Sequence, residues 1–417
     1  MTMAISVPFD VSDDTLLDAR VLDTPVLAVG VLPSNGELTI YENLADIESS
    51  WRAFERHADC TVFQTFNWLA TWQRHVGARS DVRPAIVVGR GNSGDILFML
   101  PLATRPAGFA RELVWLGSEL CDYNAPLLAT RFSVMPAQWF SRLWEHVLTD
   151  LRDHARLHYD LIRLEKMPAM VGAQANPMLA LGVTLNPSGA YATELKESWE
   201  AFYAAKRSAS TRSRDRTKRK RLAEFGALAL VHAQSGTDIL ATLDTLVAQK
   251  SRAFARMGVS NIFERPGHLD FYRALMTDPQ ARSMVHVSRL DCGAQAAAVN
   301  LGLAFRGSYY HLQASHDDGD LSRFGPGAAH LHDLLRYAIE RGFKIYDFTI
   351  GDERYKQEWC DGTQKLYDHM AFVTARGACI FAPMVVKHWL KRHIKQTLAL
   401  WNAFRRARAF CGSLLRQ

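Results

Sequence analysis

Apolar and polar positions follow two periods along this chain. Over Asp46–His57 and Thr61–Val76 apolar residues recur every three or four places, which predicts helices. The second segment reads T-V-F-Q-T-F-N-W-L-A-T-W-Q-R-H-V, with Phe66, Leu69 and Trp72 on one aromatic face. Short apolar, β-branched runs predict strands at Arg83–Val88 and Ile96–Ala103 around a turn at Gly91–Gly94, and another at Glu112–Leu116. Asp122–Leu128 reads as a loop with a short strand. A helix is then expected over Met135–Arg156 and a strand over Tyr159–Leu164.

A similar order recurs downstream. Helices are expected at Glu197–Ala205, through the basic segment to Phe225, at Thr237–Met257 and at Pro266–Met276. Strands are expected at Ala227–Ala233, Ser283–Leu290, Ala294–Phe305 and Gly307–Ser315. Helix Gly327–Arg341 and strand Lys344–Ile350 close the series, and both series end on a long helix followed by a strand opening Tyr-Asp. A tandem duplication accounts for this order. It predicts a lead-in over 1–35 with a possible strand at Val26–Val31, a first unit over 36–187, a second over 188–378 and a tail helix over 379–417. The Pro/Gly/Asn-rich stretch Pro177–Pro187 marks the expected boundary.

The length, 417 residues, suits two or three domains, and 48% hydrophobic against 22% charged residues is globular composition. The net charge of +6 hides an uneven distribution. Residues 369–417 hold nine Lys or Arg and no acid, and residues 206–221 hold nine against Asp215 alone, so the rest of the chain carries −11. That is an acidic body with two basic patches, not a general nucleic-acid binder. The first eighteen residues carry acids and no long apolar core follows, so no secretory leader is expected. No apolar run is long enough to span a bilayer. The six cysteines form no C-x-x-C pair, which fits reduced thiols in a cytoplasmic protein.

The candidate chemistry gathers after strand Gly307–Ser315. The loop H-D-D-G-D-L-S-R-F-G-P-G opens a helix at Gly327. Gly325 and Gly327 let backbone N–H groups face an anion, Pro326 stiffens the loop, and the helix N-terminus adds unpaired donors and partial positive charge. Together these make a pyrophosphate site. The strand downstream ends in a titratable cluster, Y-D-F-T-I-G-D-E-R-Y-K-Q-E-W.

The loop resembles the coenzyme A pyrophosphate loop of the GNAT acyltransferase superfamily, R/Q-x-x-G-x-G/A. Here S-R-F-G-P-G-A sets Arg323 two residues before Gly325 and Ser322 three before it. S-x-F-G-P-G, G-F-K-x-Y-D-F, Y-K-x-x-W and the earlier F-Q-T-F-N-W-L-A-T-W together resemble the CelD/BcsL-type acetyltransferases of cellulose and exopolysaccharide loci, over about Trp51–Arg376. The architecture is also similar to the FemAB aminoacyltransferases. The resemblance implies an α/β fold of tandem GNAT-like units, each a mixed twisted sheet flanked by helices. It implies acyl-coenzyme A, such as acetyl-coenzyme A, held in the second unit by Ser322, Arg323, Phe324, Gly325, Pro326, Gly327 and Ala328. The first unit has T-R-F-S-V-M-P-A in place of the loop and reads as a pseudo-domain shaping an acceptor pocket. The acceptor is expected to be a sugar amine or hydroxyl of an envelope polysaccharide precursor. Aminoacyl transfer from tRNA and a non-catalytic scaffold are the rival readings.

Direct acyl transfer needs a base, a polarised thioester and a proton for the leaving thiolate. Asp347 is the candidate base, Tyr355 the candidate acid, and Lys356 a candidate anchor for an acceptor or phosphate oxygen. His311 lies on the strand before the loop. Lys250 and Arg252 on one helix, with Asp122 and Tyr123 in the first unit, are candidate acceptor contacts. His316, Asp317 and Asp320 lack metal-ligand spacing, so no metal is expected. The basic segment 206–221 lacks the aromatic platforms of a single-strand binder and reads as a helix steering an anionic acceptor. In the tail, Val386, Leu390, Ile394 and Leu398 recur every four residues beside Lys387, Lys391 and Lys395. That is a basic amphipathic helix suited to an anionic membrane surface.

Overall fold

The computed structural model describes residues 37–130, 132 and 137–396. The strand expected at Val26–Val31, most of T-R-F-S-V-M-P-A and the tail beyond Gln396 lie outside the described residues. The first half runs β1 (Glu37–Tyr41), α1 (Leu44–Glu55), α2 (Phe66–Trp72), β2 (Arg83–Arg90), β3 (Ile96–Ala107), β4 (Ala110–Trp115), β5 (Leu127–Leu128), α3 (Ala137–Asp153) and β6 (Leu161–Pro168). A hairpin of β7 (Met170–Val171) and β8 (Gln174–Ala175), then β9 (Thr184–Leu185), lead across. The second half runs β10 (Ala190–Glu194), α4 (Trp199–Lys206), α5 (Ala209–Ala223), β11 (Leu228–His232), α6 (Gly236–Met257), α7 (His268–Thr277), β12 (Val285–Cys292), β13 (Gln295–Phe305), β14 (Ser308–His316), α8 (Pro326–Glu340), β15 (Ile345–Ile350) and α9 (Arg354–Gln357). β16 (Leu366–Phe372) and α10 (Ala375–Gln396) follow.

Local chemistry explains one departure from expectation. The helix expected over Thr61–Val76 is interrupted, because Thr61 and Gln64 exchange side-chain hydrogen bonds with the backbone and cap a 3-10 turn at Val62–Gln64. α2 starts afresh at Phe66 and widens into a π turn at Gln73–Gly77. Its aromatic face looks across the molecule: Trp68 meets Phe271 of α7 edge-on at 5.0 Å. Phe63, Trp68 and Trp72 join Leu243, Phe271, Tyr272 and Tyr310 in one buried core shared by both halves. Each such side chain contributes about 2–3 kcal/mol of burial.

The two sheets have the same layout. One is ordered β1-β2-β3-β4-β6-β16-β9, with β5 against β3, and the other β11-β12-β13-β14-β15-β10. In each, antiparallel strands lead to a single parallel pair, β4 with β6 and β14 with β15. One outer strand crosses over. β10 opens the second half and completes the second sheet, whereas β16, near the end of the second half, pairs with β6 and β9 and completes the first. β16 is therefore the strand of residues 188–378 that the hydrogen bonding puts in the first sheet. The Tyr-Asp echo is also out of register. Counted from the first paired residues, Leu161 and Ile345, Asp347 matches Arg163, while Asp160 precedes its strand.

Asp160 instead fixes the start of α10. It accepts from the Arg111 N–H at 2.9 Å and the Thr374 hydroxyl at 2.7 Å. A Cβ at Gly377 would sit 1.9 Å from the Asp160 carbonyl oxygen, so only glycine lets α10 approach. Gly377→Ala should cost about 1–3 kcal/mol of stability, read as a lowered thermal midpoint.

Candidate active site

The parallel pair β14–β15 spans only three residues a side, Ser308–Tyr310 against Ile345–Asp347. Both strands continue unpaired with each other, to His316 and Ile350, so a wedge opens in the middle of the sheet. At the end of β14 the chain makes a 3-10 turn over Asp320–Phe324 and enters α8 through Gly325, whose φ of +66° favours glycine. Pro326 at the first helical position loses no hydrogen bond. A Cβ at Gly327 would lie 3.2 Å from the His316 ring. The N–H groups of Ala328 and Ala329 turn back to the Gly325 carbonyl at 3.1 Å each. Ser322, Arg323 and Ala328 are exposed, and the Arg323 guanidinium lies over the Phe324 ring at 4.8 Å. α5 packs beside this turn, and Phe225 just beyond it meets Phe324 at 5.4 Å.

The other side of the wedge collects titratable groups from both halves. Asp347 is buried and accepts from the Tyr123 hydroxyl and the Thr349 N–H, each at 2.7 Å. Burial pushes its carboxyl up to about 7, with Asp122 adding to the rise and Tyr123, Thr349 and Lys356 opposing it. Thr349 has φ of +60° beside a register shift between β10 and β15, a strained geometry that turns its N–H toward Asp347. Its side chain bonds Asp122, which burial also pushes up. Lys356 is buried, donates to the Ile350 carbonyl at 2.8 Å and pairs with Glu353 at 3.0 Å. Burial pulls Lys250 down to about 8, with Lys356 adding to the fall and Glu353 and Asp122 resisting it. Tyr355 is 37% exposed, its ring 6.2 Å from Phe348 and 6.5 Å from His311.

Asp347, Tyr355, Lys356, His311, Lys250, Asp122 and Tyr123 thus come together. Arg252 does not. It pairs with Asp318 at 2.7 Å, and Arg256 shares that carboxylate. Sequence reading missed Glu353, Thr349 and Lys166, whose ammonium donates to the carbonyls of Ser118 and Cys121. The Glu353–Lys356 spacing was a local signal for the first; the positive φ values of Thr349 and Lys166 left none. A surface cavity of about 410 Å³ between α1, α2 and Asp278–Gln280 contains none of these groups. A cavity of about 320 Å³ lined by Tyr191, Asp352 and Gln357 flanks α9.

The matching place in the first sheet is closed by charge. Arg163 grips Glu112 through two bonds of 2.8 and 2.7 Å, and Arg105 adds a third at 2.7 Å.

Residues 209–357 match the family model described as an acetyltransferase (GNAT) domain. No curated protein matches the sequence significantly. Among solved structures, FemX is 11% identical with a TM-score of 0.54, over 80% of this chain and 97% of that one. A tandem GNAT protein from the clavulanic acid biosynthesis pathway is 11% identical with a TM-score of 0.43, over 82% of this chain and 100% of that one. The likeness to FemX is one of fold. Residues 209–357, the span that matches the acetyltransferase (GNAT) domain model, contain the wedge, the glycine turn and Asp347.

Proposed function

We propose that the protein transfers an acyl group, with acetyl the simplest, from acyl-coenzyme A directly to an amine or hydroxyl of a saccharide or other envelope precursor. The observation that carries this reading is the junction of the β14–β15 wedge with Asp347, whose carboxyl is held near 7. In this reading the Gly327 N–H and the positive end of α8 hold the donor's pyrophosphate, and the wedge receives its extended arm. Asp347 takes the acceptor's proton as the new bond to the acyl carbon forms and the carbon–sulfur bond breaks. Tyr355 gives a proton to the departing sulfur and regains one from solvent. Lys250, Lys356 and Asp122 line the acceptor side. The Arg163–Glu112–Arg105 clamp supports a first half that shapes the pocket without a donor of its own. The saccharide acceptor rests on the resemblance to CelD/BcsL-type enzymes. Incubation with acetyl-coenzyme A and a panel of glycan precursors should give free thiol and one acetylated product by mass spectrometry. Thiol release that no acceptor stimulates would count against transfer to the panel.

A second reading, aminoacyl transfer from tRNA, is favoured by α5, whose exposed Arg214, Arg216, Lys218, Lys220 and Arg221 lie on a helix packed beside the donor turn. Tight binding of charged tRNA without binding of coenzyme A would establish it.

No helix among the described residues is long and apolar enough to cross a membrane. α10 leaves Val385, Val386 and Leu390 exposed beside Lys387 and Lys391 in sequence, which supports peripheral contact with an anionic inner membrane face. The full chain should sediment with phosphatidylglycerol vesicles, and Val386→Glu with Leu390→Glu should abolish this. Equal sedimentation of the double variant would remove the membrane contact.

A further inference from the structure

His311 carries its only described hydrogen bonds on one ring nitrogen. Nδ1 lies 3.1 Å from Asn300 Nδ2 and 2.9 Å from the Tyr346 hydroxyl. The Asn300 amide is oriented by other partners. Its Nδ2 donates to the Gln313 carbonyl at 3.2 Å, which can only accept. Its Oδ1 accepts from the Tyr309 hydroxyl at 2.8 Å. A line of polar groups supports that arrangement, with the Tyr309 hydroxyl 2.8 Å from His286 Nδ1 and His286 Nε2 2.8 Å from His232 Nδ1. Gly302 makes room for it, since a Cβ there would lie 2.3 Å from the Tyr309 oxygen.

Nδ2 being a donor, His311 Nδ1 must accept. The ring proton is therefore on Nε2. No hydrogen-bond partner of that nitrogen is described among these residues, and the residue is 6% exposed. His311 stands one residue beyond the last β14–β15 pair, where the wedge opens. We infer that His311 is a fixed, neutral N–H donor to the acyl carbonyl oxygen, and that Asn300 is the positioning residue that sets its tautomer. This rests on the acyl-transfer reading. During transfer the imidazole keeps its proton, while the acceptor's proton goes to Asp347 and the sulfur leaves with the electrons of the broken bond. The groups facing the ring agree with neutrality. The uncharged Tyr346 hydroxyl from β15 lies against Nδ1, and Tyr355 from α9 meets the ring. Burial, then Lys356 of α9 and Lys250 of α6, lower its basicity to about 3. His330 of α8, bonded to Ser288, is held neutral by burial as well.

The test begins with nitrogen NMR of histidine-labelled full-length protein. His311 should show the Nε2–H pattern and no titration between about pH 5 and 9. An Nδ1–H pattern, or titration in that range, would overturn the assignment even if acyl transfer is confirmed. Gln places an N–H near Nε2, whereas Asn places one near Nδ1. His311→Gln should therefore retain more kcat than His311→Asn, which should lose roughly 10- to 100-fold with KM unchanged. Equal losses would exclude a donor at Nε2. Asn300→Asp should draw a proton to Nδ1 and add an ionisation to the pH profile, with a melting curve to check its fold. An unaltered profile in a folded variant would exclude Asn300 as the positioning residue. Failure to bind any acyl donor would sink the transferase reading and leave the tautomer measurement intact.

Discussion

Asp347→Asn should lower kcat/KM by roughly 10²- to 10⁴-fold while leaving donor binding intact, since a general base contributes about that much. The substitution keeps an oxygen for Tyr123 and Thr349, so the surrounding hydrogen bonds persist. In the wild type, activity should fall as pH drops through about 7, because only the ionised carboxylate can take the acceptor's proton. The variant should lose that limb of the profile. Stability should move the other way. A carboxyl raised in the folded state binds its proton more tightly there than in the unfolded chain. Between about pH 4 and 7 the folded protein therefore loses stability as pH rises, and above 7 the full cost of burying the charge remains. Asp347→Asn should relieve part of that cost at pH 8, by no more than about 4 kcal/mol, and raise the thermal midpoint. An inactive variant that melts lower would instead mark Asp347 as a structural group.

Helix α8 and its glycine turn were legible in the sequence because every signal is local: Gly325 for the left-handed residue, Pro326 at the first helical position, an apolar period behind them. The parallel strands and their helices were legible for the same reason. β10 and β16 were not. A-Y-A-T-E becomes a strand by pairing with the distant β15, and L-Y-D-H-M-A-F by crossing to β6 of the other half, and no local pattern announces either pairing. Asp347 was legible as a polar residue on a buried strand, but its chemistry depends on Tyr123, 224 residues away. The Tyr-Asp echo pointed to the right repeat through the wrong residues, since sheet register matches Asp347 to Arg163. The Arg252 ion pair was not legible, because Asp318 lies 66 residues away in the chain.

Gly327→Val should weaken acyl-coenzyme A binding by at least about 100-fold, or roughly 3 kcal/mol. Its Cβ would start 3.2 Å from the His316 ring, and the rest of the branched side chain would fill the space that the helix N-terminal N–H groups need to reach a phosphate. Gly325→Val should act similarly, with an added cost of about 1–2 kcal/mol for a Cβ at a φ of +66°. Neither change touches Asp347 or Tyr123, so acceptor binding should survive.

The most direct measurement is a calorimetric titration of the full chain with acetyl-coenzyme A. One-to-one binding at micromolar affinity, present in Asp347→Asn and absent in Gly327→Val, is the expected result. A folded wild-type chain that gives no heat with acetyl-coenzyme A would contradict the proposed donor site.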